Sequence, residues 1–277
     1  MLDHLISIAR AAGQKLRELQ PTAAHQRWSK GNHGGDLVTA GDIVTVADLA
    51  SQNVMTQMLR GVAPHLSLIL EEQENPEALP SEHINADPCD GTAIYAAGCL
   101  EYGIAMAYVR DGEPQCGVLY QPARDVLIAA EQGNGCLRLC GSERTKVRFT
   151  HALPLGQSIV GTDLGPTNHR DKVEHIFIPL AGNVQYLRVI GSAIGAFISL
   201  LEGQTAAYVC PDVKIWDLCA GALAVREAGG VALAPDGTPL SWNRLSMSGL
   251  FAANEQLAHD LVPLTKGWTA FVQRRAQ

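Results

Sequence analysis

The residues Asp87-Pro88-Cys89-Asp90-Gly91-Thr92 set two carboxylates three positions apart, straight after Ile84-Asn85-Ala86, which reads as a short strand with Asp87 at its end. Pro88 favours an extended backbone at Asp87 and fixes the turn that follows. Gly91 lets the backbone come close to a ligand. A helix starting near Thr92 would aim its free N–H groups at an anion. One loop thus offers carboxylate oxygens for a hard cation and backbone donors for a phosphate. Mg²⁺ prefers oxygen ligands and commonly shares its shell with substrate phosphate. The plainer alternative is an Asp-rich turn capping a helix, since Asp and Gly are ordinary turn residues. Chemistry through an aspartyl-phosphate is set aside, because its DxDGT-type loop has one residue between the two Asp and this chain has two.

Three further acidic elements flank this loop. Glu71-Glu72 ends the run Leu66 to Leu70, which is apolar apart from Ser67 and reads as a strand. Solvated surface charge is the other reading of that pair. Asp217 stands in Ile215-Trp216-Asp217-Leu218-Cys219-Ala220-Gly221, at the start of a helix read over Trp216 to Ala228 that stops at Gly229-Gly230. Asp48 closes Asp42-Ile43-Val44-Thr45-Val46-Ala47-Asp48, near a helix read over Ala47 to Arg60. For Asp217 and Asp48 a helix N-cap role is as natural as a site role.

Composition narrows the classes. The chain has 277 residues, 47 % of them hydrophobic, enough to build a large core and to argue against disorder. Its 21 Lys and Arg against 28 Asp and Glu leave a formal charge of −7, which argues against nucleic acid as the main partner. No run approaches the ~18 consecutive apolar residues of a membrane helix. The first residues, Met1 to Leu19, are interrupted by Asp3, His4, Arg10, Gln14 and Lys15, so they read as an amphipathic helix rather than an export signal. The expected location is the cytoplasm, with the seven Cys as reduced thiols. Cys136 and Cys140 lack the partner pair that a zinc site needs.

Along the rest of the chain, Gly31 to Gly35 reads as a loop and Leu37 to Val46 as a short strand or ordered turn. In the helix after it, Ala47, Ala50, Val54 and Met58 share one apolar face, with Met55 and Leu59 beside it. Gly103 to Val109, Gly117 to Tyr120 and Val126 to Ala130 have the spacing of a meander. Ser158 to Thr162 and Ala206 to Val209 read as strands, Gly191 to Leu201 as a helix. Interleaved strands and helices give a mixed α+β or α/β class. The softest boundary is the polar stretch Gly141 to Leu155, which divides the chain into 1–150 and 151–277.

Taken together, the four acidic elements resemble the inositol monophosphatase family of metal-dependent phosphatases. Asp87 to Thr92 looks like its DPxDGT motif and Ile215 to Gly221 like its WDxxAG signature. Glu71-Glu72 occupies the place of its acidic pair, and Val44 to Asp48 resembles its VTxAD element. The similarity runs from the N-terminal helix to Leu250-Phe251-Ala252-Ala253-Asn254. It implies a layered αβαβα sandwich of two sub-domains, with the active site between them. It also implies two or three Mg²⁺. Glu71, Asp87 and the Cys89 carbonyl would hold the first, Asp87, Asp90 and Asp217 the second, and a looser third would lean on Glu71. Thr92, backed by Asp48 and Glu71, would orient and deprotonate the attacking water. Gly91 and Thr92 amides would cradle the phosphate. Lithium sensitivity and a homodimer belong to the same implication.

Some positions depart from the family pattern. Inositol-specific members carry an acidic residue seven positions before the signature Asp; here that place is Cys210. Thr-Asn-Phe often follows the first signature, and here Ala93-Ile94-Tyr95 does. The Lys that often precedes VTxAD has no clear counterpart, Lys30 being displaced. Gly191-Ser192 resembles the family's substrate-facing turn and equally suits a helix cap. Asp163 is a further candidate substrate contact, and Arg188 a candidate for a second phosphate unless it is simply solvated. The nine His show no ligand spacing. The leading expectation is a Mg²⁺-dependent phosphomonoesterase of a small phosphorylated polyol or sugar such as inositol monophosphate. Alternatives are bisphosphate nucleotidase, fructose bisphosphatase or histidinol-phosphate phosphatase specificity, or a weakly catalytic phosphatase-like binding protein.

Overall fold

The computed structural model describes residues 1–23, 27–29, 43–76, 78–150, 153–165 and 168–275. The loop read at Gly31 to Gly35, Lys30, Asp42 and the first part of the element read from Leu37 lie outside them.

In chain order come α1 (Leu2–Ala23), β1 (Arg27–Ser29), β2 (Ile43–Thr45), α2 (Val46–Val62), β3 (Ser67–Leu70), β4 (His83–Asp90) and α3 (Thr92–Ala96). Then follow β5 (Gly103–Arg110), β6 (Glu113–Gln121), β7 (Val126–Glu131), β8 (Gly135–Cys140) and β9 (Glu143–Val147). The remainder is β10 (Ile159–Thr162), α4 (His169–Lys172), a π-helical turn (Val173–Phe177), α5 (Ile178–Ala181), β11 (Tyr186–Val189), α6 (Ala193–Leu201), β12 (Ala207–Lys214), α7 (Ile215–Glu227), β13 (Val231–Leu233), β14 (Ser246–Ala252) and α8 (Glu255–Arg275).

β3 to β9 form a seven-stranded sheet in sequence order, antiparallel except for the β3–β4 pair. A five-stranded sheet has the order β11-β10-β12-β14-β13, with β11, β10 and β12 parallel. The period-2 alternation of strands sends side chains to opposite faces. On β5, Ile104 and Met106 join the core under α1 and α2, whereas Ala105, Ala107 and Val109 join the core that holds α6 and α7. On β7, Leu127 and Ala129 face the first core, and Val126, Ile128 and Ala130 the second. Tyr208 and Phe251 of the second sheet close that middle core from the other side. A third core joins Val160, Val209 and Leu250 to Ile176, Leu180, Leu257 and Leu261. The layers are therefore helices, sheet, helices, sheet, helices, as the αβαβα expectation required. α6 and α7 meet closely because Gly221 has no side chain: a Cβ there would lie 2.4 Å from the Phe197 ring.

Several local readings shift. β4 continues through Asp90, so Asp87 lies inside the strand, with the register to β5 broken between Asp87 and Asp90. All eight β4 residues are buried, because helices cover both faces, and no alternation marks its ends. The buried stripe of α2 is Ala47, Asp48, Ser51, Met55 and Leu59, while Met58 is exposed. That stripe is rotated from the purely apolar one because two polar groups, Asp48 and Ser51, face inward. β9 occupies Glu143–Val147, so the first sheet ends inside the stretch read as a soft boundary. Its exposed residues suit an edge strand, where charge blocks further pairing. The long helix α8 contains Pro263, a residue that breaks the pattern a sequence reading relies on. Among the described residues, no helix is long and apolar enough to cross a membrane.

Candidate active site

The carboxylates are positioned by helix starts. Thr45 caps α2, and the backbone N–H of Thr45 donates to Asp48 Oδ2 at 2.9 Å, completing a capping box. At α7, Lys214 N donates to Asp217 Oδ2 at 2.8 Å. Asp90 reaches across to α6, where Ser192 is the N-cap. The Ser192 hydroxyl donates to Asp90, and the Ala193 and Ile194 amides donate to it at 3.2 and 2.9 Å. Within its own loop, Asp87 Oδ1 accepts from Cys89 N at 2.8 Å. Each of the four carboxylates is thus held by at least one backbone donor of a turn or helix start. Helix N-termini carry partial positive charge that favours such anions.

These anchors bring one oxygen each of Asp87, Asp90 and Asp217 within 4.8 Å of one another. Asp87 and Asp90 are buried and Asp217 is partly buried. Burial, followed by repulsion from Glu71, Asp90 and Asp217, holds the Asp87 carboxyl well above its usual range. Burial and the charges of Asp90 and Glu71 do the same to Asp217. Asp90 is pushed up to about 7 by burial, against the lowering effect of Ser192 and Ile194. Glu71 comes within hydrogen-bonding reach of Asp87. Its position is set by the next residue, since Gln52 clamps both the amide and the carbonyl of Glu72 at 3.0 Å. Crowded carboxylate oxygens fit a hard divalent cation, which relieves their repulsion. The donor set therefore suits Mg²⁺ and does not suit a thiolate-selecting metal.

Beside this cluster, the Thr92 hydroxyl lies 2.9 Å from Asp48 Oδ1 and 3.0 Å from the Cys89 carbonyl. Burial raises the Asp48 carboxyl, and hydrogen bonds from Thr45 and Thr92 oppose the rise. Gly91, left-handed at φ +78°, makes the turn into α3. A Cβ there would lie 3.0 Å from Ser192 Cβ and 3.1 Å from the Gly191 carbonyl. The loop therefore needs glycine for its conformation and for contact with α6. The Thr92 amide, in the first turn of α3, has no acceptor within its helix.

Other predicted positions are used differently. Ser192 contacts Asp90, and Gly191 precedes the cap in a left-handed conformation. Cys210 is fully buried, and its sulfur accepts from the Tyr208 hydroxyl at 2.9 Å, so it offers no polar atom outward. Arg188 donates to Ser199 and Gln204, away from the carboxylates. Asp163, raised by burial, accepts from Gly165 N and adds to the field on Asp90. Sequence reading missed Ser51, whose buried hydroxyl donates to the Pro88 carbonyl at 2.7 Å and ties α2 to the acidic loop. A polar residue one turn after Ala47, on an otherwise apolar face, is the signal that marks it. The seven Cys are free thiols.

Comparison with known proteins agrees with this geometry. The model of the inositol monophosphatase family matches residues 1–266. The inositol-1-monophosphatase of Rhizobium meliloti is 29 % identical over 227 residues, covering 79 % of this chain and 81 % of that protein. The fructose-1,6-bisphosphatase/inositol-1-monophosphatase of Thermotoga maritima is 28 % identical over 223 residues, 80 % of this chain and 81 % of that one. Among solved structures, the extragenic suppressor protein suhB of Bartonella henselae superimposes with a TM-score of 0.81 at 23 % identity, covering 95 % of this chain and 97 % of that one.

Proposed function

The chain belongs to the inositol monophosphatase family and is a phosphoric monoester hydrolase, and from that premise we propose a Mg²⁺-dependent reaction on a small phosphorylated polyol or sugar. The observation that carries the reading is the meeting of Asp87, Asp90 and Asp217 oxygens beside the Thr92–Asp48 hydrogen bond. When bound, Mg²⁺ supplies neutralisation of phosphate charge and a lowered pKa for bound water. In this proposal Glu71, Asp87 and the Cys89 carbonyl hold one ion and Asp87, Asp90 and Asp217 another. A third rests on Glu71.

Thr92 has one hydroxyl proton, and both acceptors within reach of it, Asp48 and the Cys89 carbonyl, are on the protein side. Its oxygen is then left to accept a proton from water on the other side. Asp48 takes the displaced proton, and its raised affinity for protons makes it a better base than an exposed Asp. Glu71 backs both groups. Phosphoryl transfer depends on positioning and charge neutralisation more than on covalent help. The Gly91 and Thr92 amides supply donors for the phosphate, and Gly191 with Ser192 forms the facing wall. The same proposal extends to a homodimer in the cytoplasm, to inhibition by Li⁺ and to two sub-domains meeting near residue 150.

The test is Asp217→Asn. Its Oδ atom can still accept from Lys214 N, so the α7 cap survives. Phosphate release from a sugar phosphate is expected to vanish while circular dichroism stays unchanged. Undiminished turnover in Asp217→Asn would remove Asp217 from the site.

A further inference from the structure

A cavity of about 230 Å³ lies between the second half of α8, the start of β14 and the end of β12. Neither Thr92 nor any residue of the acidic cluster lines it. An apolar cavity of about 150 Å³ already holds a benzene ring, so this one has room for a single ring with a substituent. Trp268, Pro235 and Val272 supply its apolar wall.

The polar lining is arranged to donate. Ser246 and Ser248, two apart on β14, face the same side of the strand. A serine hydroxyl has one proton and two lone pairs. Both lone pairs of Ser248 are taken, by Asp212 N at 2.9 Å and by Trp268 Nε1 at 3.1 Å. Ser246 accepts from Lys214 Nζ at 2.9 Å. Neither hydroxyl proton has an acceptor among the described residues, and Arg244 makes no hydrogen bond or contact ion pair among them. The two carboxylates of the lining are engaged elsewhere. Asp236 accepts from the amide and the hydroxyl of Thr238, and Asp212 from the Asn168 side-chain amide at 2.7 Å. Two hydroxyl protons, a guanidinium and the Lys214 ammonium beside them make a setting for an anion, and the arginine fork matches a carboxylate or a phosphate.

One residue connects this cavity to the candidate site. Asp212, left-handed at φ +53°, lies where the register of β12 on β14 breaks, and pairing resumes with Val213–Met247 and Lys214–Ser246. Lys214 therefore gives its Nζ to Ser246 and its backbone N–H to Asp217 Oδ2. An anion that accepts the Ser246 proton makes the Ser246 oxygen a stronger acceptor for Lys214, because hydrogen bonds in a chain polarise one another.

We propose that the cavity is a regulatory site for a small organic anion, a carboxylate or phosphate on a body of about one ring, and that its occupation steadies Lys214 and through it Asp217. The inference goes beyond the hydrolase reading, and its binding test uses no turnover.

Benzoate and benzylphosphonate are titrated calorimetrically into the whole chain in EDTA, with benzyl alcohol and benzylamine as neutral and cationic controls. Without metal the acidic cluster repels anions, so the titration reads the cavity. One of the two anions at least is expected to bind at a single site, roughly tenfold or more tightly than either control. Arg244 is exposed, so Arg244→Gln leaves the core alone; it should weaken that binding roughly 10- to 100-fold, as for a lost charged hydrogen bond, and Arg244→Lys should weaken it less. No saturable anion binding, equal binding of the controls, or binding unchanged in Arg244→Gln overturns the site. The link to Asp217 is read by titrating Mg²⁺ with and without the anion. Mg²⁺ should bind roughly 5-fold or more tightly when the anion is present, and the anion equally more tightly when Mg²⁺ is present. Ser246→Ala should remove the difference. Equal Mg²⁺ affinities, or a difference that survives Ser246→Ala, overturns the link. If Mg²⁺ does not bind at all, the metal reading above fails by itself, and the titrations in EDTA still decide the anion site.

Discussion

Replacing Asp87 by Asn should make the metal-free protein more stable at pH 8, although it removes a residue from the candidate site. Asp87 has an oxygen no farther than 4.8 Å from oxygens of Asp90 and Asp217. With an effective dielectric constant of about 20, two charges 4.8 Å apart repel by about 3.5 kcal/mol. Asn keeps an oxygen for Cys89 N and turns an NH₂ donor toward the neighbouring carboxylates, so repulsion becomes attraction. Relief of even one such pair corresponds to a melting temperature higher by roughly 5–10 °C for a chain of this size. The pH dependence has a fixed sign. A carboxyl held above its ordinary pKa keeps a proton in the folded chain that the unfolded chain has already lost. Stability therefore falls as pH rises from the unfolded value near ~3.9 through the folded one, which for Asp90 is about 7. In EDTA, the wild-type melting temperature should drop between pH 5 and pH 8, and Mg²⁺ should restore it, more at pH 8 than at pH 5. Asp87→Asn should flatten the slope and lose most of the Mg²⁺ response. Differential scanning fluorimetry over that pH range, with EDTA or Mg²⁺, reads all of these. A flat wild-type profile in EDTA, or an Asp87→Asn protein less stable than wild type at pH 8, would refute the electrostatic reasoning.

The remaining expectations are narrower. Thr92→Val should cut kcat by about 10²–10⁴, the usual span of a lost proton path, with KM little changed; steady-state kinetics on any accepted ester measures it. Ser51→Ala leaves the buried Pro88 carbonyl without its donor, and should cost about 1–3 kcal/mol in urea unfolding. Gly91→Ala must bear a left-handed backbone and contacts of 3.0–3.1 Å with Ser192 and Gly191, so it should lose about 1–3 kcal/mol and activity together.

How much of this was legible depended on the range of the interaction that fixes each residue. The Thr45–Asp48 start and the Trp216-Asp217 start are local motifs, and each folds as its spacing suggests, whereas the strand before the acidic loop runs on through Asp90. Interleaved elements gave only a mixed α+β or α/β class, and the αβαβα layering was what the resemblance to the family implied. What escaped depended on side-chain contacts that spacing alone does not announce. Ser51 faces inward because Pro88 presents a carbonyl there. Cys210 is sealed because Tyr208, two residues away on the same strand, turns its hydroxyl to the sulfur.

The capping reading and the site reading of Asp48 and Asp217 turn out to describe one geometry. A carboxylate has two oxygens. Given to a helix start, one oxygen takes a backbone N–H, which fixes the side chain in place and offsets part of the cost of burying it. The other oxygen is then aimed wherever the helix start points. In this fold the residues at the starts of α6 and α7 bring oxygens of Asp90 and Asp217 to Asp87, and the second Asp48 oxygen at the start of α2 is taken by Thr92 beside them. Asp90 differs, because both of its oxygens accept from the start of a helix 102 positions away, Oδ2 from Ser192 and Ile194 and Oδ1 from Ala193. Such a cap cannot be read from local sequence, and it couples the two halves of the site. Removing the Ser192 hydroxyl with Ser192→Ala should therefore act on the metal site as well as on α6. It should weaken Mg²⁺ stabilisation in the melting assay, whereas Ser192→Thr, which keeps the hydroxyl, should preserve it. Equal Mg²⁺ responses from Ser192→Ala and wild type would show that Asp90 holds its position without the cap.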